Sequence, residues 1–269
     1  MKIGIVAGSG YFPLFIAKQN KNAFVLCIEN HSNSHNFKNK SMNVSLLNPD
    51  MWIEILKNEN VTHIVFAGKI NRPRIINEEL NENAKAIMGE ISILGDNSAV
   101  NIIENFFKKF GFKILPIESV INNCFFSKGF HLETNISIKF KEYIKKSTNL
   151  GVDLLNVLSK YDIGQSVVVS ADLVYAIEGT EGTDSMIDRA GLLSFNCLNL
   201  HGYGPVLIKI PKVNQNRNID LPVIGIETVN KCLKLGFSCI VLSSDGTLIL
   251  DYSEVIKYIK QKQFCIYAI

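Results

Sequence analysis

The clearest indication of the fold is "KIGIVAGSGYFPLFIAKQN", residues 2–20 of the 269-residue chain. Its first residues are a short apolar run of the kind that forms a buried strand, and "GSGYFP" then turns the chain into a helical segment. Glycines between a strand and a helix are typical of the first turn of a Rossmann-like sheet. We therefore predict a strand, a turn and a helix within these residues.

The chain repeats this alternation as far as residue 116. The predicted order after the first helix is strand 23–29, helix 50–58, strand 61–67, helix 97–110 and strand 112–116. Residues 29–43 form a polar stretch between the first two of these elements. Short β-branched runs separated by helices indicate a parallel sheet.

The second half of the chain has a different pattern. Between residues 121 and 135 the alternation stops, and Asn, Ser, Gly and His become frequent, which indicates a domain boundary. The predicted fold is α/β throughout. It has a Rossmann-like N-terminal domain at residues 1–122, a linker at 123–135 and a mixed α/β C-terminal domain at 136–269.

Within the C-terminal domain we predict a helix over residues 136–161 with an interruption near Gly151. "QSVVVS" and "LVYAIE" flank Ala171-Asp172 as one predicted hairpin, and "SCIVL" and "TLILD" flank residues 243–246 as another. The remaining predicted elements are a strand at 205–210, helices at 228–235 and 253–262, and a strand at 264–269.

The composition argues against several classes of protein. The chain is 47% hydrophobic and 20% charged, as in globular proteins, and a net charge of +3 without a dense basic stripe argues against a nucleic-acid partner. The six cysteines are far apart and form no C-x-x-C pair, which predicts reduced, mostly buried thiols in a cytoplasmic protein. No apolar run approaches the ~18 residues that span a bilayer, and the first residues lack signal-peptide features. We therefore expect any membrane contact to be peripheral.

The turn after the first predicted strand is a candidate phosphate site. Glycine lets the backbone approach an anion, and the amides at a helix start can hold phosphate, so Gly8, Ser9 and Gly10 are candidate binding residues. A dinucleotide fingerprint would have a third glycine at position 13, where this chain has Pro13, and this disfavours NAD and FAD. A tight turn without a ligand explains the same residues.

Two further segments carry polar residues where a strand ends or a helix begins. Lys69 in "AGKINRP" would project a positive charge from the carboxyl end of its strand, where open α/β sheets bind ligands. A solvated basic loop is the alternative interpretation. "GDNSAV" opens the next predicted helix, and Gly95 and Asp96 are either ligand contacts or a turn with its N-cap.

An acidic stretch, "AIEGTEGTDSMIDRAG" at residues 176–191, interleaves carboxylates with Gly-Thr pairs. Its four carboxylates are Glu178, Glu181, Asp184 and Asp188. One interpretation is a helix cap followed by a solvated acidic face. The other is a hard divalent cation held by carboxylates, with Arg189 neutralising part of the remaining charge. Thr180 and Thr183 are hydroxyl donors in the same stretch.

A basic stretch, "KIPKVNQNRNIDLPVIG" at residues 209–225, contains a single carboxylate. Lys209, Lys212 and Arg217 are near Asp220 in sequence, and Asp220 precedes Leu221-Pro222, so its backbone is extended. One carboxylate among cations is a candidate for holding a metal ion or aligning water. A structural salt bridge is the alternative.

Taken in order, seven motifs of this chain resemble one family. They are "IVAGSGYFP", "AGKINRP", "DIGQSVVV", "AIEGTEGTDSMIDR", "GPVLIKIPK", "NIDLPVIG" and "GTLILD". The set resembles the UDP-2,3-diacylglucosamine pyrophosphatases of the LpxI type over essentially the whole chain. The acidic stretch and "DLPVIG" are the most specific parts, and the glycine turns would not identify the family alone.

The resemblance implies a two-domain enzyme of lipid A synthesis in Gram-negative bacteria, with the lipid nucleotide held between the domains. The implied reaction is Mg²⁺-dependent hydrolysis of the diphosphate of UDP-2,3-diacylglucosamine. Water attacks the phosphorus on the sugar side and gives UMP and 2,3-diacylglucosamine 1-phosphate. This role fits a cytoplasmic protein in peripheral contact with the inner membrane, and it leaves a homodimer open.

The resemblance and the residue patterns together give a set of expected site residues. Asp220, in the "DLP" motif, is implied to be essential, and we expect it to bind magnesium together with Asp184 and Glu181. The expected substrate-binding residues are Gly8, Ser9, Gly10, Lys69, Gly95, Asp96, Gln165, Thr180, Thr183, Arg189, Lys209, Gln215 and Arg217. Two positions depart from the family pattern. Asn97 stands where an acidic residue often follows "GD", and Asn216 stands where "QD" is common.

A second hypothesis comes from a different class of protein. The chain would then be a non-catalytic carrier that binds a nucleotide sugar or a lipid at the same site. The two hypotheses differ in one observable, because a carrier returns the UDP-linked lipid uncleaved.

Overall fold

The computed structural model describes residues 1–70, 96–132, 136–196, 202–213, 215–216 and 221–269, with the backbone alone for 96–100 and 194–196. The chain forms two compact units. The first comprises Met1–Asn122 with Asn216–Asp220, and the second comprises Asn123–Gln215 with Leu221–Ile269. Each unit contains a β-sheet and helices, so the predicted α/β fold class is confirmed.

The first unit is built on a parallel sheet. Its described strands are β1 (Ile3–Ala7), β2 (Phe24–Ile28), β3 (Ser41–Val44), β4 (His63–Ala67) and β5 (Lys113–Ile114). Its described helices are α1 (Phe12–Gln19), α2 (Pro49–Asn58) and α3 (Asp96–Lys109). The strand order is β3-β2-β1-β4-β5, and every neighbouring pair is parallel. This is the order of a doubly wound sheet, which agrees with the Rossmann-like prediction.

The composition of each strand follows its position in this sheet. All five residues of β2 are buried, as expected for an inner strand whose two faces are both covered. Leu26 of β2 packs in one core with Trp52 of α2 and Phe107 of α3. β3 begins within the polar stretch at residues 29–43, which was not predicted to form a strand, and ends one residue after it. It is an edge strand with exposed Met42 and Asn43, so it lacks the apolar pattern of the inner strands.

The second unit is built on a mixed sheet. Its principal strands are β6 (Gly129–His131), β7 (Ser166–Ser170), β8 (Leu173–Ile177), β9 (Val206–Lys209), β11 (Cys239–Leu242) and β13 (Cys265–Ala268), and two short strands are β10 (Val223–Ile224) and β12 (Leu248–Ile249). Its described helices are α4 (Ile138–Ser159), α5 (Thr183–Asn196), α6 (Ile226–Lys234) and α7 (Tyr252–Lys262). The strand order is β6-β13-β11-β9-β7-β8, with β11 parallel to both of its neighbours and the other pairs antiparallel. No helix within the described ranges is long and apolar enough to cross a membrane.

Helices cover both faces of the six-stranded sheet in the second unit. Val206 and Ile208 of β9 belong to a core shared with Ile144 of α4. Leu207, between them in sequence, belongs to a different core that it shares with Met186 of α5. Since successive side chains of a strand point to opposite faces, this alternation assigns α4 to one face and α5 to the other.

The predicted interruption of the long helix near Gly151 is wrong. α4 continues through Gly151, which is buried against the sheet. A Cβ atom at Gly151 would lie 2.0 Å from Cδ1 of Ile208 and 3.2 Å from Cγ2 of Val167. The glycine therefore allows close packing of the helix on β9 and does not end the helix.

One predicted hairpin is confirmed and the other is wrong. β7 and β8 pair antiparallel around Ala171-Asp172, as predicted. The strands that flank residues 243–246 do not pair with each other. β11 lies between β9 and β13 in the large sheet, whereas β12 pairs in parallel with β10 in a separate two-stranded sheet. Short apolar runs with a turn between them do not determine which partner each run takes.

The cysteines within the described ranges agree with the prediction of reduced, buried thiols. Cys27, Cys124, Cys232, Cys239 and Cys265 are buried and form no disulfide. Burial raises the pKa of Cys27 to about 11, and a hydrogen bond from Ser32 opposes this shift only in part. The sixth cysteine, at position 197, lies outside the described residues.

We predict that Gly151→Ala destabilises the protein although alanine is the better helix former. The added methyl group overpacks the contact with Ile208, at a typical cost of about 1–3 kcal/mol, and helix propensity returns about 1 kcal/mol. Urea unfolding followed by far-UV circular dichroism measures the difference.

The matched control is Ile208→Val, which deletes the Cδ1 atom that the new methyl group would meet. The double variant Gly151→Ala/Ile208→Val should lose less free energy of unfolding than the two single variants lose together. Additive losses would contradict the packing explanation. Asn156→Ala, at an exposed position of α4, serves as the propensity control.

Candidate functional site

In the first unit, the turns that follow β1 and β4 lie against each other. Because these strands are parallel neighbours, their carboxyl ends meet at one edge of the sheet. The Gly8 amide donates to the Ala67 carbonyl at 2.7 Å, and the Ser9 amide donates to the Lys69 carbonyl at 2.8 Å. The Ser9 hydroxyl donates to the same Lys69 carbonyl at 2.7 Å. The structure therefore brings three expected binding residues, Gly8, Ser9 and Lys69, to one place.

The close approach of these turns explains why position 8 is glycine. A Cβ atom there would lie 2.6 Å from the Lys69 carbonyl oxygen, and a backbone atom cannot rotate away. Gly10, the third expected residue, is exposed and has φ +96°, a conformation that favours glycine. Lys69 is exposed. The loop contact accounts for Gly8 without a ligand, and the predicted role of Lys69 in binding stays a prediction.

The next two expected residues are only partly described. Gly95 lies outside the described residues. Asp96 is the first residue of α3, which agrees with a predicted helix start at this point. Asp96 and Asn97 are described by their backbone alone, so their roles stay predictions.

In the second unit, a buried lysine and a buried glutamate are joined by a threonine hydroxyl. Lys209 is the last residue of β9, Glu178 follows β8, and Thr183 is the first residue of α5. The Lys209 ammonium donates to Thr183 Oγ1 at 2.5 Å, and that hydroxyl donates to Glu178 Oε1 at 2.8 Å. Lys209 is 6% exposed and Glu178 is 7% exposed. Three elements thus deliver one hydrogen-bonded chain from a cation to an anion.

Two glutamines extend this chain of contacts. The Gln165 backbone amide donates to Glu178 Oε2 at 3.1 Å, and the Gln165 side-chain oxygen accepts from Gln215 Nε2 at 3.2 Å. The Gln215 side-chain oxygen accepts from the Lys212 amide at 2.8 Å. Gln215 is buried. Four expected binding residues, Gln165, Thr183, Lys209 and Gln215, are therefore neighbours in one network.

Arg189 and Glu181 form a separate pair at the surface. Arg189 Nη2 donates to Glu181 Oε1 at 2.7 Å and to the Ile177 carbonyl at 3.1 Å. Glu181 Oε2 also accepts from the Gly179 amide at 3.1 Å. The hydrogen bond from Arg189 holds the pKa of Glu181 below its usual value. The pair ties the turn after β8 to α5. Thr180 lies exposed in that turn.

The four carboxylates of the acidic stretch thus have different surroundings. Glu178 points inward to Thr183, Glu181 pairs with Arg189, and Asp188 accepts from Lys231 Nζ at 2.9 Å. Asp184 is exposed in the first turn of α5. Within the described ranges, no three His, Cys, Asp or Glu side chains form a group that could hold a metal ion. Two expected residues of the basic stretch lie outside the described residues. They are Arg217, expected to bind the substrate, and Asp220, expected to bind magnesium.

Asn216, which departs from the family pattern, has specific partners in the first unit. Its side-chain NH₂ group donates to Glu104 Oε2 at 2.5 Å and to Asn101 Oδ1 at 2.9 Å. Glu104 is 6% exposed, and its other oxygen accepts from Lys108 at 2.5 Å. A neutral amide at position 216 can donate to this carboxylate, whereas an aspartate there would repel it.

Two of these residues were missed from the sequence although a signal was present. Glu178 is two positions after buried Ala176, so the alternation of β8 predicts that it faces inward. Glu104 lies at helical spacing from Val100 and Phe107, on the apolar face of α3. A charged residue on an apolar face requires a partner, and that partner could not be identified from sequence.

We predict that Asn216→Asp destabilises the first unit by about 2–3 kcal/mol at pH 8, because it replaces a hydrogen bond to a buried carboxylate by a like charge. The loss should shrink as the pH falls, since protonation of either carboxyl group restores a donor. Trp52, the only tryptophan of the chain, is buried in this unit, so its fluorescence during urea unfolding reports the change.

The compensating variant is Glu104→Gln combined with Asn216→Asp, which again pairs one amide with one carboxylate. It should recover most of the lost stability at pH 8. Equal stability losses at pH 8 and pH 5 would contradict a charge explanation.

Comparison with known families and proteins connects both halves of the chain to one family. Residues 2–124 match the LpxI N-terminal domain, and residues 134–267 match the LpxI C-terminal domain. A relative from Caulobacter vibrioides, named UDP-2,3-diacylglucosamine pyrophosphatase LpxI, is 26% identical over 268 residues, which cover 95% of this chain and 92% of that protein. Since the two domain matches together span nearly the whole sequence in the expected order, the chain belongs to the LpxI family.

Proposed function

We propose that this protein hydrolyses the diphosphate of UDP-2,3-diacylglucosamine to UMP and 2,3-diacylglucosamine 1-phosphate, a step of lipid A synthesis. The observation that carries the proposal is the match of both domains to the LpxI family. The name of the Caulobacter relative supports the same reaction. Because the substrate carries two acyl chains, the proposal includes peripheral contact with the inner membrane.

The reaction requires positive charge near the diphosphate. In the proposed step, water forms a new bond to the phosphorus on the sugar side, the bond from that phosphorus to the bridging oxygen breaks, and UMP leaves with the electron pair. Water loses a proton, and negative charge builds up on the departing phosphate. Groups that neutralise this charge in a site with little water have the largest effect on the rate.

Lys209 is the described residue best suited to this task. Its ammonium group is buried and is held by the Thr183 hydroxyl, so its position is restricted before a ligand arrives. A preorganised cation costs no reorganisation during the reaction. Gln165 and Gln215 add amide groups to the same network. We therefore assign to Lys209 the binding of the phosphate that leaves with UMP.

Asp220 is the one residue to which we assign magnesium binding. Within the described ranges, Asp184 and Glu181, the other two expected ligands, belong to no group of three side chains that could hold a metal ion, and Glu181 is paired with Arg189. We therefore propose Asp220 as the residue that holds the metal ion or aligns water, and we assign no step to the metal itself.

We predict that Asp220→Asn lowers UMP release from the UDP-linked lipid by about 100-fold or more, as expected for loss of a group that acts on the reacting water or metal ion. Asp172→Asn is the matched control. Asp172 is an exposed carboxylate in the β7–β8 turn, and it pairs with Lys146 of α4. Chromatographic measurement of UMP from equal amounts of folded protein compares the two. Undiminished turnover by Asp220→Asn would overturn the assignment, and intact substrate after incubation with the wild-type protein would favour the carrier hypothesis.

Removal of divalent metal provides a separate test. In EDTA, UMP release by the wild-type protein should stop, and excess Mg²⁺ should restore it. An equal excess of Ca²⁺ serves as the control for ionic strength and charge, since Ca²⁺ prefers longer bonds and a larger coordination number. Full activity in EDTA would exclude the metal dependence.

A further inference from the structure

Glu178 is a buried carboxylate that is not among the expected site residues. It follows β8 and is 7% exposed. Its Oε1 atom accepts the Thr183 hydroxyl at 2.8 Å, and its Oε2 atom accepts the Gln165 backbone amide at 3.1 Å. Both oxygens therefore have a donor from a different part of the second unit.

These contacts fix the direction of the Thr183 hydroxyl. A carboxylate accepts hydrogen bonds and cannot donate them, so the single proton of Thr183 must point to Glu178. The lone pairs of Thr183 Oγ1 are then left for the Lys209 ammonium, which lies 2.5 Å away. Ser166 Oγ also lies 3.5 Å from Thr183 Oγ1 and is a longer alternative contact. Without an acceptor at position 178, the hydroxyl could rotate toward Ser166, and its lone pairs would no longer be held toward the ammonium group.

We propose that Glu178 is a positioning residue, which acts through Thr183 to hold the Lys209 ammonium in place for the phosphate that leaves as UMP. The inference rests on the proposed function, since it assumes that Lys209 meets that phosphate. Glu178 itself touches no reacting atom in this proposal. Its negative charge is transmitted by the hydroxyl dipole, and a hydrogen bond to a charged group is stronger than one between neutral groups.

Glu178→Gln preserves the shape of the side chain but replaces one hydrogen-bond acceptor by a donor, so it tests the direction of the hydrogen bond. The Gln165 amide still needs an acceptor, so the new side-chain oxygen takes the position of Oε2. The new NH₂ group then faces Thr183 and donates where Glu178 accepted. Thr183 would receive two donors, from positions 178 and 209, and its own proton would have to turn toward Ser166 Oγ, which lies 3.5 Å away.

Four variants distinguish this mechanism from a general loss of packing. Glu178→Gln and Thr183→Val should each lower kcat by about 10- to 100-fold with KM nearly unchanged, because charge on the departing phosphate develops in the transition state. Thr183→Ser, which keeps the hydroxyl, should lose much less activity than Thr183→Val. The double variant Glu178→Gln/Thr183→Val should be no worse than either single variant, since Glu178 acts only through that hydroxyl.

Affinity for UMP, measured by isothermal titration calorimetry, gives a second readout that does not require turnover. Free UMP carries the charge of the leaving group, so its Kd should rise about tenfold in Glu178→Gln and in Thr183→Val, and it should not rise further in the double variant. Glu142→Gln, at an exposed position of α4, is the matched Glu-to-Gln control. Circular dichroism and thermal unfolding establish that each variant is folded.

The outcomes separate this inference from the proposed function. If the wild-type protein releases no UMP from the lipid, the proposed function fails, while the UMP affinities still decide the role of Glu178. If Glu178→Gln matches the wild-type protein in kcat and UMP affinity, the positioning role is overturned. It is equally overturned if the losses of Glu178→Gln and Thr183→Val multiply in the double variant. A wild-type protein that neither releases nor binds UMP overturns both.

Discussion

The arrangement of the second unit depends on two buried charges that share one hydroxyl. Removing the ammonium of Lys209 and the carboxylate of Glu178 from water is costly unless each finds hydrogen-bonding partners. Thr183 serves both, because a hydroxyl can accept from a cation and donate to an anion at the same time. The ends of β8 and β9 and the start of α5 must therefore meet at one point, and this requirement sets the site.

The same requirement explains the acidic stretch. Four carboxylates within eleven positions would repel one another if they faced the same way. The turn after β8 and the first turns of α5 instead direct Glu178 inward, Glu181 to Arg189 and Asp188 to Lys231. Only Glu178 is buried, so only its partners must be held in one geometry. The surface pairs are exposed to solvent and contribute little to stability.

A second buried carboxylate makes a comparable demand in the first unit. Glu104 accepts from Asn216 and from Lys108, and its position on the inner face of α3 leaves it 6% exposed. An amide at position 216 therefore satisfies Glu104, whereas an aspartate there would place two carboxylates in contact.

Local sequence is enough to predict the α/β class, most helices and strands, the β7–β8 hairpin and the glycine-containing turns after β1 and β4, because hydrophobic periodicity and turn chemistry are local properties. It did not determine that α4 continues through Gly151 or that β11 and β12 belong to different sheets, since both depend on partners distant in the chain. The polarity of the candidate site is also a tertiary property. A lysine, a threonine and a glutamate in separate segments become hydrogen-bonding neighbours only when folding removes them from water and brings the ends of β8 and β9 to the start of α5.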